Sequence, residues 1–514
     1  MKFFNTAGPC KPDIHYMLPV AERLPEVLRL VDQQAYFVLH APRQIGKTTT
    51  MMQLAHELRE EGRYNAIVVS VEMGAAFNDD PGAAELAILD GWRADAVLLP
   101  AELQPPPWPQ VEPGARVRHA LQAWTQASPR PLAVFIDEID ALQNETLVSF
   151  LRQLRAGYPQ RPKGFPWSLA LIGLRDVRDY KVASGGSERL NTASPFNIKM
   201  RSLTLKNFTA AQVAALYLQH TAETGQAFTD EAICRAFDLT QGQPYLVNAL
   251  AKVAVEELQP DVTHPITLVE IEQSKDILIE RQETHLDSLG ERLREPRIRN
   301  IIEPLLAGKS PSDLPADDMR FVLDLGLVSQ SNGGGIVIAN PIYREVIPYM
   351  LSFVTRASLP QIAPTWLKPD GSLDPDKLLE AFLAFWRQHG QPLLKSVHYH
   401  EIAPHIVLMA FLHRVVNGGG SLEREYAIGT RRMDVILRYG ATTLAMELKV
   451  WRDGEREPLN EGLEQMDPYL SGLGLDTGWL VIFDQRSGLA DISERTTAET
   501  VATPAGRSVT VIRG

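Results

Sequence analysis

Seven residues in two groups have the types and spacing to act on phosphates. Lys47 and Thr48 pair with Asp137 and Glu138, while Asp434 pairs with Glu447 and Lys449. Lys47 and Thr48 close the stretch Ala41-Pro42-Arg43-Gln44-Ile45-Gly46-Lys47-Thr48, which follows the apolar run Tyr36-Phe37-Val38-Leu39 and precedes a helical pattern from Thr49 to Glu60. Strand, glycine-bearing loop and helix are the context that a phosphate-binding loop requires. Its backbone N–H groups and the helix N-terminus converge on one point and favour an anion there. Lys47 would reach the β- and γ-phosphates of a nucleotide, and Thr48 would offer its hydroxyl to Mg²⁺. Ala41 stands where the first glycine is usual, so the backbone there must keep a negative φ.

Asp137 and Glu138 end the run Leu132-Ala133-Val134-Phe135-Ile136. The first carboxylate would hold the Mg²⁺ shell, and the second would orient and deprotonate an attacking water. Two acids here would equally suit a helix start, where carboxylates are favoured. Their pairing with the loop decides for catalysis. Further on, Arg175 and Arg178 follow the strand-like run Ser168 to Gly173, and Arg201 comes later still. They are candidate γ-phosphate sensors or arginine fingers.

Asp434 lies in Arg432-Met433-Asp434-Val435-Ile436-Leu437, thirteen residues before Glu447-Leu448-Lys449. That spacing fits two adjacent antiparallel strands with a short turn. Glu447 and Lys449, two apart, share a strand face. Two hard carboxylates suit Mg²⁺ or Mn²⁺. Such an ion would polarise a phosphodiester and acidify a bound water, and Lys449 would position that water or stabilise developing charge. His398, His400 and His405 lie nearby, without a fourth ligand at zinc spacing.

The elements that must position these groups divide the chain. At 514 residues it is too long for one core, and about three domains are expected. Its two cysteines, Cys10 and Cys234, argue against a disulfide framework and fit a reducing cytoplasm. The N-terminus lacks the apolar core of a secretion signal, and no run approaches the roughly 20 apolar residues of a membrane span. A formal net charge of −12 argues against bulk coating of nucleic acid but leaves room for a local basic groove. Ala66 to Val71 reads as a buried parallel strand. Residues 73 to 113, ending in Pro105-Pro106-Pro107-Trp108-Pro109, read as an irregular, lid-like excursion. Residues 208 to 258 read as helices, with Pro244 in the first turn of one. Prolines at 360, 364, 369 and 375 mark a linker.

With APRQIGKTT, LAVFIDEID and GQPYLV in place, the first ~260 residues resemble the AAA-like, archaeal-type branch of P-loop ATPases. The resemblance implies ATP as ligand, with Ala41 to Thr49 and Asp137 around it, and Gly242, Gln243 and Pro244 close by. It also implies that a segment before the first strand packs on the adenine, for which Tyr16 and Arg23 are candidates. Residues 291 to 350 resemble a winged helix, read here as packing rather than as DNA-binding. The C-terminal part is similar to the PD-(D/E)XK nuclease superfamily, on the order of helix, strand with Asp434, strand with Glu447 and Lys449, helix with Gln465, apolar strand. Gly429 and Arg432 fit the variant found behind AAA-like ATPases. This likeness implies Glu401 as a further metal ligand and Gln465 as the helix glutamine.

The expected fold is therefore α/β. A P-loop NTPase core at 1–205 precedes a helical lid at 206–290 and a winged-helix-like domain at 291–358. After a linker at 359–375 comes a restriction-endonuclease-like domain at 376–514. The expected activity is an ATP-regulated, metal-dependent nuclease acting on nucleic acid, DNA foremost, with defence against mobile elements suggested by analogy. The rival is a nucleotide-dependent switch whose C-terminal domain binds without cutting. A homo-oligomer follows if an arginine is supplied between subunits.

Overall fold

The computed structural model describes residues 1–175, 197–281, 290, 292–306, 314–331, 334–351, 364–396, 403–416, 419–428 and 431–514. The chain divides into two compact units. The first comprises 1–278 and 320–327, and the second 279–319 and 328–514.

The first unit is built on five parallel strands: β1 (Tyr36–His40), β2 (Asn65–Ser70), β3 (Leu132–Asp137), β4 (Ser168–Gly173) and β5 (Arg201–Thr204). Their order is β2-β3-β4-β1-β5. β4 thus lies between the strand that launches the phosphate loop and the strand that ends in Asp137. β1, β3 and β4 are apolar almost throughout because helices cover both faces of the sheet. This is the P-loop NTPase arrangement, with ligand groups at the carboxyl ends of the strands.

Residues 73–113 depart from the sequence expectation. They carry a helix, Pro81–Ala96, capped by Asp80 and led by Pro81. Ile88, Leu89 and Trp92 are buried in the core. The proline-rich segment is fixed to this helix, for Trp108 Nε1 donates to Leu89 O at 2.9 Å. Gly82, Ala83 and Ala84 hide the apolar period, so the stretch reads as irregular although it packs as core.

Helices Ala210–Thr224, Asp230–Thr240 and Pro244–Val253 follow, where the sequence reads as helical. Gly242 joins the last two at φ +70°, and its carbonyl accepts from Phe208 N at 2.7 Å. A Cβ at Gly242 would stand 1.8 Å from Phe208 O. Gly242→Ala is therefore expected to cost about 2–4 kcal/mol, from the strained φ and the backbone clash together. Denaturant unfolding checks this through a lowered midpoint.

The second unit contains helix Pro296–Leu306, the hairpin β6 (Val328–Gln330) and β7 (Ile336–Ile338), and helix Pro341–Leu351. Beyond them, helices Pro375–Ser396 and Ala403–Val416 precede a six-stranded sheet. Its strands are β8 (Gly420–Ile428), β9 (Arg431–Tyr439), β10 (Thr442–Trp451), β11 (Thr477–Asp484), β12 (Thr497–Ala502) and β13 (Ser508–Arg513). The order is β12-β13-β11-β10-β9-β8. β10 runs antiparallel to β9 and parallel to β11. The crossover from β10 to β11 is helix Leu459–Leu473, whose Leu463, Met466 and Leu470 pack on Ile436, Ala445 and Leu480. That packing brings the exposed edge of this helix beside the end of β10. No described helix is long and apolar enough to cross a membrane.

Candidate functional site

At the end of β1 the loop turns through Gln44 at φ +57° and Gly46 at φ +89°. Gly46, in the conformation glycine tolerates best, caps helix Lys47–Glu60. Ala41 is buried and has no positive φ, so its methyl is accommodated where a glycine is usual. Lys47 Nζ donates to the carbonyls of Ala41 and Pro42, at 2.8 Å each. Thr48 Oγ1 donates to Asp137 Oδ2 at 2.5 Å, and Asp137 Oδ1 accepts from Glu138 N at 2.9 Å. Thr48 and Asp137, 89 residues apart in sequence, thus form one oxygen-rich corner. An oxygen pair of this kind suits a hard cation such as Mg²⁺.

Glu138 sits at φ +59°, an unusual value for a side chain with a Cβ. Such strain is held only where surroundings fix it. Burial, together with the charges of Asp137 and Asp140, pushes its carboxyl above the ordinary range, against the opposing pull of Lys47. A base with a raised pKa is a better proton acceptor near neutral pH. Asp140 Oδ1 accepts from Leu174 N at 3.1 Å and so ties this turn to the end of β4.

Lys47, Thr48, Glu138 and Leu174 line a cavity of about 440 Å³, as do Gly8 and Pro9. The N-terminal segment is held there by Cys10 N, which donates to Thr49 Oγ1 at 3.0 Å. Gly8 and Pro9 belong to no phosphate-binding motif, and their turn-forming residue types are the signal the sequence carries for this segment. Neither adenine candidate lines this cavity. Tyr16 is buried against Phe4 with its hydroxyl 3.2 Å from His220 Nδ1. Arg23 Nη2 donates to Ile45 O at 3.1 Å, and its guanidinium lies over the Phe208 ring. It braces the loop from outside. Gln243 caps helix Pro244–Val253 by accepting from Leu246 N at 2.6 Å. Arg43 also lines the cavity. Arg175 lies over Phe321 at 3.8 Å and 3.7 Å from Asp324 Oδ2. Arg201 pairs with Glu26 at 2.8 Å on the surface. Arg178 lies outside the described residues.

In the second unit the ladder sets Val435 opposite Met446, which places Asp434 beside the Glu447 end of β10. Asp434 Oδ2 accepts from Leu448 N at 2.8 Å. Lys449 Nζ lies 3.2 Å from Glu447 Oε1 and 3.2 Å from Glu461 Oε1, and it donates to Gln465 Oε1 at 2.5 Å. Helix Leu459–Leu473 supplies both Glu461 and Gln465, one turn apart, and Gln465 Nε2 donates to Glu461 Oε1 at 3.3 Å. Glu461 was not foreseen; its place four residues before Gln465 was the available signal. His405 lines the same cavity, while Glu401, His398 and His400 lie outside the described residues.

Glu447 is 4% exposed, and its Oε2 is buried without a hydrogen-bond partner. Burial, then the charge of Asp434, pushes its carboxyl up to about 8, despite Lys449. The ammonium of Lys449 is held above its usual range by Glu447, Asp434 and Glu461, which outweigh its own burial. An orphaned buried carboxylate oxygen beside a second carboxylate fits a divalent cation. Among the described residues no group of three His, Cys, Asp or Glu forms a fuller cation site.

The raised carboxyl makes a stability prediction with a definite sign. Folded Glu447 keeps its proton between about pH 4.5 and 8, where the unfolded chain has lost it. Its contribution is therefore fully present below the unfolded pKa and lost as pH rises through the folded one. Glu447→Gln removes that loss. Without divalent cation, the melting temperature of the variant should gain on the parent's between pH 5.5 and 8.5, by about 2–4 °C for each kcal/mol recovered. Scanning calorimetry in EDTA at the two pH values checks it.

A family profile described as an AAA-like domain matches residues 121–347. No curated protein gives a significant match to the sequence. Among solved structures, the Walker-type ATPase PABY2304 of Pyrococcus abyssi is 12% identical, with a TM-score of 0.46 over 67% of this chain and 99% of that one. The Thermotoga maritima RuvB Holliday junction branch migration motor is 17% identical, with a TM-score of 0.34 over 62% and 90%. The Aeropyrum pernix ORC1 protein, solved in complex with DNA, is 16% identical, with a TM-score of 0.34 over 67% and 96%. None of these structures is similar enough to carry an activity across. The family match, the strand order and the loop geometry support a P-loop ATPase in the first unit.

Proposed function

We propose that this chain is an ATP-regulated, cation-dependent nuclease, with nucleotide turnover in the first unit and phosphodiester cleavage in the second. The observation that carries the second half is the meeting of Asp434, Glu447 and Lys449, with the buried Glu447 Oε2 left without a partner. An unmatched buried acceptor costs about 1–3 kcal/mol, which a cation bound beside Asp434 and Glu447 would offset.

In the first unit Lys47 exchanges its two loop carbonyls for nucleotide phosphate oxygens. Thr48 and Asp137 would hold the cation side of the phosphates, and Glu138 would take the proton of the water that bonds to the γ-phosphorus as the bridging oxygen leaves with the nucleoside diphosphate. In the second unit Asp434 and Glu447 would hold the cation. Mg²⁺ bound at the two sites would supply neutralisation of phosphate oxygens and, at the second, a lowered pKa for a nearby water. Lys449, kept charged by its acidic neighbours, donates to the phosphate oxygen that gains charge. Gln465 and Glu461 set where that ammonium points.

The test is cleavage of plasmid and linear DNA by the full chain in Mg²⁺ or Mn²⁺, with and without ATP. Divalent-dependent cutting that changes with ATP supports the reading. Binding without cutting under both metals favours the non-cutting switch instead. No effect of ATP on either would separate the two sites functionally.

A further inference from the structure

The cavity that holds Asp434, Glu447 and Lys449 has a volume of about 740 Å³ and a second wall. Leu305 and Leu306 end helix Pro296–Leu306, Ile336, Val337 and Ile338 form β7, and Arg344 comes from helix Pro341–Leu351; all six line the cavity. These residues come from the winged-helix-like part of the same compact unit. Arg344 is 8% exposed. Arg452 and Arg456 add cations from beyond β10. The cavity is thus divided in character, ionic around the β9–β10 site and aliphatic along β7.

A duplex has little to offer such a cavity. Its bases are stacked and paired inside, and a wall beside it meets mainly sugar and phosphate. A single strand offers both required surfaces, with phosphates for the cations and unstacked base faces for the apolar wall. Asp434, Glu447, Glu455 and Glu461 also line the cavity. They would repel a phosphate unless a divalent cation masks them.

We infer that this cavity takes single-stranded nucleic acid, with Arg344 on a phosphate and the β7 side chains against the bases. The inference rests on the reading of Asp434, Glu447 and Lys449 as a cation-dependent phosphodiester site, and it names the substrate class of that site. The winged-helix-like part then completes the substrate cavity.

The test measures binding separately from cutting. The full chain is titrated into fluorescein-labelled oligonucleotides of 20 residues, one a single DNA strand and one a blunt duplex. Fluorescence anisotropy is read in Ca²⁺ and in EDTA, at several salt concentrations. The single strand should bind at least tenfold more tightly than the duplex in Ca²⁺ and lose that advantage in EDTA. Arg344→Ala should weaken strand binding and flatten the log–log salt slope by about 0.7, the loss of one phosphate contact. Arg344→Lys should keep the slope. Because Arg344 is buried, Val337→Trp gives an independent arm: it narrows the cavity from the half-buried β7 and should abolish strand binding, with thermal unfolding as the control on its fold.

Duplex binding as tight as strand binding, no binding of either, or normal strand binding by a folded Val337→Trp variant each overturns the inference. The two readings fail separately. Strand preference in Ca²⁺ without cleavage in Mg²⁺ or Mn²⁺ keeps this inference and removes the nuclease. Equal cleavage of closed duplex and single strand keeps the nuclease and removes this inference.

Discussion

Lys449→Ala is expected to lower divalent-dependent DNA cleavage by about 10²–10³-fold, the usual loss when one donor to a developing negative charge is removed. The ammonium is not an incidental surface group. Its side chain is 17% exposed and reaches Glu447, Glu461 and Gln465 together. Three acceptors fix its position before substrate arrives, so little reorganisation is needed at the moment of reaction. Its charge also sets the balance between two crowded carboxylates, since Lys449 pulls Glu447 down while Asp434 pushes it up. Removing it should therefore weaken catalysis without abolishing cation binding. Single-turnover cleavage measured beside a cation titration separates those effects. Wild-type cutting by a folded Lys449→Ala variant would remove this residue from the reaction.

Glu138→Gln should reduce ATP hydrolysis by about 10²–10⁴-fold, the range for loss of a general base, while nucleotide affinity stays near that of the parent. The amide keeps the shape of the side chain and gives up only its capacity to accept a proton. The left-handed backbone at Glu138 is set by the turn after β3, where Asp137 Oδ1 holds Glu138 N and Asp140 holds Leu174 N. Those bonds remain in the variant. A hydrolysis rate measured with a nucleotide-binding isotherm distinguishes a lost base from a lost binding site. Unchanged turnover would reassign the base, with Asp140 next in line by position.

The parts of the molecule that could be read from sequence are those whose chemistry is local. Ala41 to Thr48 carries its own loop conformation, and an apolar strand ending in Asp137-Glu138 carries its own direction. Even the missing glycine resolved simply, because Ala41 needs no positive φ. Asp434, Glu447 and Lys449 were legible because a two-residue period and a short turn fix their facing. Other features depend on which distant segments pack together. The helix Pro81–Ala96 was hidden by small residues and by the prolines around it. Glu461 gains its meaning only when helix Leu459–Leu473 returns across β10. Arg344 and β7 reach the cavity from some hundred residues before Lys449, and no local pattern announces that. Arg175 is a candidate γ-phosphate sensor in sequence, and the fold sets it against Phe321 and Asp324.

That last contact bears on how modular the chain is. Residues 320–327 belong to the first unit, although both flanking stretches belong to the second. Here Gly326 comes close enough to Pro42 that a Cβ would stand 2.8 Å from its ring. The backbone consequently passes between the units three times, and the first unit is discontinuous along the chain. A truncation ending at residue 278 would look like a clean domain cut on paper, yet it strips Phe321 and Asp324 from Arg175 and uncovers Pro42 at the mouth of the phosphate loop. The C-terminal half is therefore not a cassette joined by a single tether, and it could not be exchanged for another effector at one splice point without carrying those eight residues along.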